Sequence, residues 1–199
     1  IRLLAVSKTK PVEAILEAAD AGQRDFGENF VQEGLQKIEN CGRDDLVWHF
    51  IGHLQSNKTR LVAEHFDWIH TVDRLKIARR LSDQRPSHAP PLNVCSEVNV
   101  DAEPAKSGVS PEALPALAGD VAALPRLKLR GLMCLPAIRE GFDAQRRPFA
   151  ALRELLESLN EQGMALDTLS MGMSADYAAA IQEGATIVRV GTAIFGARE

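Results

Sequence analysis

The sequence predicts an α/β protein, a single (β/α)8 TIM barrel spanning residues 1–199. Three observations carry that reading. Short apolar runs alternate with amphipathic stretches along the whole chain, and this rhythm demands a parallel sheet. Eight runs qualify as strands, the number that closes a parallel sheet into a barrel. No Gly-rich dinucleotide fingerprint follows any of them, which weighs against the rival, an open doubly wound sheet.

The elements follow in order. Ile1–Val6 is an apolar run and reads as the first strand. Pro11 starts a helix whose stripe is Val12, Ile15, Leu16 and Ala19, and Gly22 stops it. Arg24–Gly27 is a second strand, and Glu28–Ile38 carries Val31, Leu35 and Ile38 at helical spacing. Leu46–Ile51, rich in aromatic and β-branched residues, is the third strand. Asn57–His65 is helical and Trp68–Val72 is the fourth strand. Asp73 reads as the cap of a helix running through Leu81. Pro86–Pro91 is a linker to a fifth strand, Leu92–Val100. Ser110 and Pro111 open a helix to Leu124. Leu127–Met133 is the sixth strand, and Asp143–Gln162 is a long helix ended by Gly163. Leu166–Met171 is the seventh strand. Ser174 opens a helix to Glu183, and Ala185–Val190 is the eighth strand. Seven intact helices accompany eight strands, so a flanking helix is expected to be missing. The chain opens on Ile1, read as a trimmed or unrepresented natural start.

Composition narrows the function. The chain has 199 residues, and 23 basic against 27 acidic side chains give a net charge of −4, which argues against a nucleic-acid partner. No apolar run approaches the ~20 residues of a membrane helix, and no signal segment precedes the first strand. Cys41, Cys95 and Cys134 are odd in number and widely spaced, which suits small buried residues in a reduced cytoplasm better than disulfides. There is no CxxC pair to hold zinc.

A barrel of this kind carries its site at the C-terminal strand ends. Leu4, Val6 and Lys8 share one face of the first strand. If that face is interior, Lys8 sits at the barrel mouth, where desolvation favours the neutral amine that attacks carbonyls. An unperturbed lysine is neutral in only about 1 part in 2,500 at pH 7. The alternative is a surface lysine in a loop. Ser174, after the seventh strand, and Gly191 and Thr192, after the eighth, suit an anion, since phosphate sites recur between those strands. Each alone is equally an N-cap or a turn. Arg189 lies within the apolar run ATIVRV and needs either a carboxylate or a ring nitrogen to meet. Amine, anion site and ring-facing arginine together describe pyridoxal 5′-phosphate (PLP) as cofactor.

Weaker patterns are set aside. Ser7-x-x-Lys10 lacks the companions of penicillin-recognising enzymes. His49 and His53 share a face without an evident third metal ligand. Asn57-Lys58-Thr59 is a sequon without secretion. Glu28 reads as a helix cap, and Lys106-Ser107-Gly108 as a solvated loop.

Five segments carry a resemblance: LLAVSKTKP (Leu3–Pro11), FGENFVQE (Phe26–Glu33), WHFIGHLQSNK (Trp48–Lys58), LSMGMSADY (Leu169–Tyr177) and VRVGTAIFGARE (Val188–Glu199). Together they resemble the pyridoxal phosphate homeostasis family, whose barrels are similar to the N-terminal domain of alanine racemase. The resemblance implies PLP held as a Schiff base on Lys8. It implies phosphate contacts from Ser174, Gly191 and Thr192, Arg189 at the pyridine nitrogen, and Asn29 and His53 near the cofactor. It further implies a carrier and regulator of cofactor supply, cytosolic or mitochondrial and often monomeric, without established turnover; for this chain a cytoplasmic location and PLP-dependent apo-enzymes as partners are expected. Members carry an N-terminal helical segment that this chain is expected to lack.

The residues also bear on turnover. A racemase needs an acid/base on each face of its substrate. Lys8 serves one face, but the only tyrosine, Tyr177, is expected to pack or face solvent. An arginine at the pyridine nitrogen gives no proton to the ring and weakens its electron sink. Both features predict weak or absent catalysis. The alternatives are a single-domain PLP-dependent amino-acid racemase and a cofactor-free Schiff-base aldolase using Lys8.

Overall fold

The computed structural model describes residues 1–196. The final three residues of the VRVGTAIFGARE segment therefore lie outside the described part. Eight strands form a closed barrel in chain order: β1 (Arg2–Val6), β2 (Asp25–Glu28), β3 (Val47–Phe50), β4 (Trp68–Val72), β5 (Leu92–Glu97), β6 (Leu127–Met133), β7 (Thr168–Met173) and β8 (Ile187–Val190). All neighbours are parallel, and β8 closes on β1 with Arg2 opposite Ile187 and Leu4 opposite Arg189. The helices are α1 (Val12–Asp20), α2 (Val31–Cys41), α3 (Thr59–His65), α4 (Leu75–Gln84), α5 (Leu114–Ala122), α6 (Phe142–Glu161), α7 (Tyr177–Gln182) and α8 (Thr192–Phe195).

Strand alternation sorts the core into two parts. Leu4, Trp68, Cys95, Met133 and Ile187 fill the barrel lumen. Their strand neighbours Ala5, Ile69, Val94, Leu132 and Val188 face outward and pack beneath the helices, with Phe26 and Phe50. Each fully buried Phe or Leu contributes about 1.5–3 kcal/mol by leaving water. Helical spacing does the same on the other side of that seam: Phe149, Leu152 and Leu159 form the buried stripe of α6. Gly163 follows at φ 94, as a chain leaving a helix through the left-handed region requires. All three cysteines are buried thiols.

Several expected boundaries shift, the first through partners distant in sequence and the others through short-range side-chain bonds. Glu28 is no helix cap. It ends β2 opposite Phe50, fully buried, because Ser7 and Lys37 reach its carboxylate across the fold. Asp73 does not cap α4, for its carboxylate pairs with Arg74 at 2.7 Å. The fifth strand ends at Glu97 and not at Val100. Beyond it Asn99 folds the chain into a loop through two bonds with the Glu103 backbone. Ser110 holds a turn, accepting from Ala113 N–H, and α5 begins only at Leu114. Ser174 likewise sits in a turn. Asp176 accepts the Met173 N–H and α7 starts at Tyr177. A short 3-10 turn, Ser56–Lys58, precedes α3, and α8 follows the last strand.

Candidate functional site

The C-terminal strand ends gather the residues that the sequence singles out. Val6, Lys8, Asn29, Arg189, Gly191 and Thr192 line one cavity of about 450 Å³, together with Ser174. That volume suits a small ligand or cofactor. Lys8 is half-buried and reaches it from the end of β1, above Leu4 in the lumen, as the alternation requires. Arg189 forms part of the wall from β8. Its guanidinium donates to Ser170 Oγ at 2.8 Å and to the Cys134 carbonyl at 2.9 Å. Burial draws its pKa below the ordinary guanidinium value. At Gly191 a Cβ would stand 3.2 Å from the Val6 carbonyl oxygen, so the bare glycine lets β8 leave the barrel tight against β1.

The loop that bears Lys8 is clamped from behind. Lys37 Nζ donates to the Ser7 carbonyl at 2.7 Å, to Glu28 Oε1 at 2.9 Å and to Glu33 Oε1 at 2.6 Å. Ser7 Oγ donates to Glu28 at 2.6 Å, and the Thr9 N–H donates to Glu33 at 2.5 Å. The residues on both sides of Lys8 are therefore pinned to β2 and α2. Thr9 has φ 64, an uncommon conformation for a β-branched residue, which the clamp holds in place. Burial raises the pKa of Glu28, while Ser7 and Lys37 oppose that shift.

The sequence reading missed Lys37. Its signal was spacing: Val31, Gly34, Lys37 and Cys41 form the buried stripe of α2, so a lysine on that stripe required buried acceptors.

His53 stands apart from the other candidates. It lines the two cavities beside that of Lys8, and its Nδ1 lies 3.4 Å from Ser107 Oγ. The cavity it shares with Ser107 also holds Asn29, Thr71, Asn99 and Glu97. Glu97 is 5% exposed, and burial, with help from Asp73, pushes its pKa up to about 7. Strand alternation from Cys95 could have placed this carboxyl inward, but the sequence reading passed over it. Asn29, which lines all three spaces, has a buried Oδ1 with no partner among the described residues. Tyr177 is 43% exposed on α7 and outside the lining of the Lys8 cavity. No group of three His, Cys, Asp or Glu residues suited to a metal occurs among the described residues.

These features define a class: a barrel with a lysine-bearing cavity at its C-terminal strand ends. The family model described as alanine racemase, N-terminal domain matches residues 1–199. Among curated relatives, the pyridoxal phosphate homeostasis protein of Pseudomonas aeruginosa is 61% identical over 199 residues, covering 100% of this chain and 85% of its own. The protein of the same name from Escherichia coli strain K12 is 56% identical over 202 residues, covering 100% and 86%. PipY of Synechococcus elongatus, solved with PLP bound, superposes at a TM-score of 0.91 with 41% identity, covering 98% of this chain and 92% of that one. Alanine racemase from Corynebacterium glutamicum shares the fold at a TM-score of 0.76 with 16% identity, covering 99% and 56%. The chain belongs to the pyridoxal phosphate homeostasis protein family, within the alanine racemase N-terminal domain class.

Proposed function

We propose that this chain binds pyridoxal 5′-phosphate covalently through Lys8 and serves intracellular PLP homeostasis as a carrier and regulator. The observation that carries the reading is the convergence of Lys8, Asn29, Ser174, Arg189, Gly191 and Thr192 on one cavity. The relatives' names and the PLP-bound PipY structure support it from outside the chain.

The residues present fit the group. When bound, PLP supplies an aldehyde that condenses with an amine, a phosphate and a pyridine ring. Lys8 provides the amine, on a loop fixed by Lys37. Ser174 and Thr192 bring hydroxyls and, with Gly191, backbone N–H groups toward an anion. Arg189 presents a cation to the ring end, its orientation held by Ser170 and the Cys134 carbonyl. Asn29 contributes to the wall of the same cavity. His53 belongs to the neighbouring space and acts at the margin of the ligand.

Retention rather than turnover is supported by two features. Arg189 keeps its protons and does not supply one to the ring. Tyr177, the only tyrosine, lies outside the lining of the Lys8 cavity. The protein is read as a cytoplasmic monomer that passes PLP to apo-enzymes. No described helix is long and apolar enough to cross a membrane.

Titrating the purified, cofactor-stripped protein with PLP tests the reading. A new near-violet absorption band that saturates at one equivalent and is absent in Lys8→Ala is expected. A titration that gives only the spectrum of free PLP rejects it.

A further inference from the structure

Inside the barrel a single row of hydrogen bonds runs from Arg189 to the opposite end. Arg189 Nη1 lies 2.8 Å from Ser170 Oγ, and Ser170 Oγ lies 2.7 Å from His70 Nδ1. His70 Nε2 lies 2.9 Å from His49 Nδ1, and His49 Nε2 lies 2.9 Å from Asp25 Oδ1. His49, His70 and Ser170 are fully buried. Asp25 opens β2, so it marks the N-terminal end of the barrel, whereas Arg189 lies toward the C-terminal end of β8.

With both rings neutral, the Asp25 end decides every proton in the row. A guanidinium only donates, so Ser170 Oγ accepts from it. The single Ser170 proton then goes to His70 Nδ1. A neutral His70 carries its hydrogen on Nε2 and donates to His49 Nδ1. His49 in turn donates from Nε2 to the Asp25 carboxylate, which only accepts. Reversing the row leaves the His49 Nε2 lone pair facing that carboxylate and the Ser170 proton without an acceptor.

The surroundings agree with two neutral rings. Burial lowers the pKa of both histidines, and His49, Arg189 and Arg2 act further against a charge on His70. For His49, Asp25 and Asp67 work the other way without overcoming burial and Arg2. Trp68 stacks on His49 with ring centroids 5.5 Å apart, fixing the plane of that imidazole.

We propose that His70 and His49, through Ser170, are positioning residues for Arg189. Both are neutral with the hydrogen on Nε2, and their one-way row of donors, ending on Asp25, fixes the orientation of the guanidinium. The consequence for the ligand rests on the reading of the Lys8 cavity as the PLP site. The proton assignment does not.

The test therefore has two arms. In cofactor-free protein, long-range ¹H–¹⁵N correlation spectra should show bare Nδ1 and protonated Nε2 for both His49 and His70 at pH 7. A doubly protonated ring, or a hydrogen on Nδ1 of either residue, overturns the assignment. In the second arm, PLP is titrated into wild type, Ser170→Ala and Ser170→Thr, with thermal unfolding as a control for folding. Ser170→Ala should shift the His49 signals, although His49 does not touch Ser170. It should also weaken PLP binding about tenfold, the effect of roughly one hydrogen bond to a charged group. Ser170→Thr, which keeps a hydroxyl, should restore both. Wild-type affinity and spectrum in folded Ser170→Ala would overturn the positioning role. Failure of wild type to bind PLP would instead reject the reading of the cavity and leave the assignment standing.

Discussion

Lys37 Nζ lies 2.9 Å from Glu28 Oε1, with 6% and 0% of the two side chains exposed, behind the loop that presents Lys8. A buried ion pair of this kind is more than a source of stability. Its lysine also bonds the Ser7 carbonyl, so the pair transmits the rigidity of α2 and β2 to the residue next to Lys8.

Lys37→Met should therefore be severely destabilising. It leaves the Glu28 carboxyl buried without its cation, and breaking a buried pair from one side costs about 3–5 kcal/mol. Urea unfolding measures the loss. Adding Glu28→Gln should recover part of it, because the stranded charge is removed. Equal stability of the single and double variants would show that the pair is not coupled.

Glu97 predicts a pH dependence of defined sign. Burial raises its pKa to about 7 from the ordinary 4.5. Between those values the folded protein binds more protons than the unfolded chain, so stability from this group falls as pH rises through that window. The full shift corresponds to at most about 3 kcal/mol. Glu97→Gln should raise the melting temperature at pH 8 and change it little at pH 4. Equal shifts at both pH values would contradict the assignment.

The cysteines should be inert in the native state. Burial pushes the thiols of Cys95 and Cys134 up to about 12 and raises that of Cys41. Thiolates, not thiols, react with disulfide reagents. An aromatic disulfide reagent at pH 8 should label all three only after denaturation, and rapid native labelling of any one would refute the packing around it.

Gly52→Ala probes the wall near Asn29. A Cβ there would stand 2.0 Å from the Asn29 carbonyl oxygen, too close to be relieved without moving β2 against β3. The variant should lose several kcal/mol of stability, as overpacking against backbone does. Its PLP affinity should fall even under conditions where it stays folded. Unchanged binding in a folded variant would show that Asn29 does not contribute.

Much of this was legible along the chain because it depends on local pattern. The strand rhythm gave the barrel, and the alternation of Leu4, Val6 and Lys8 put the lysine at the mouth. Most of what escaped depends on partners distant in sequence. Glu28 looked like a cap because Ser7 and Lys37 are 21 and 9 residues away. His49 drew attention only as a possible metal ligand, whereas its partners are His70 and Asp25, on neighbouring strands. Ser174 resembled an N-cap, and Asp176 two residues later takes that place.

The attachment of PLP to Lys8 is tested most directly by chemical fixation. The cofactor-loaded protein is reduced with borohydride, digested and analysed by mass spectrometry. The account predicts one stable adduct, on the peptide bearing Lys8. A modification confined to another lysine, or no adduct on a protein that retains the cofactor, would contradict it.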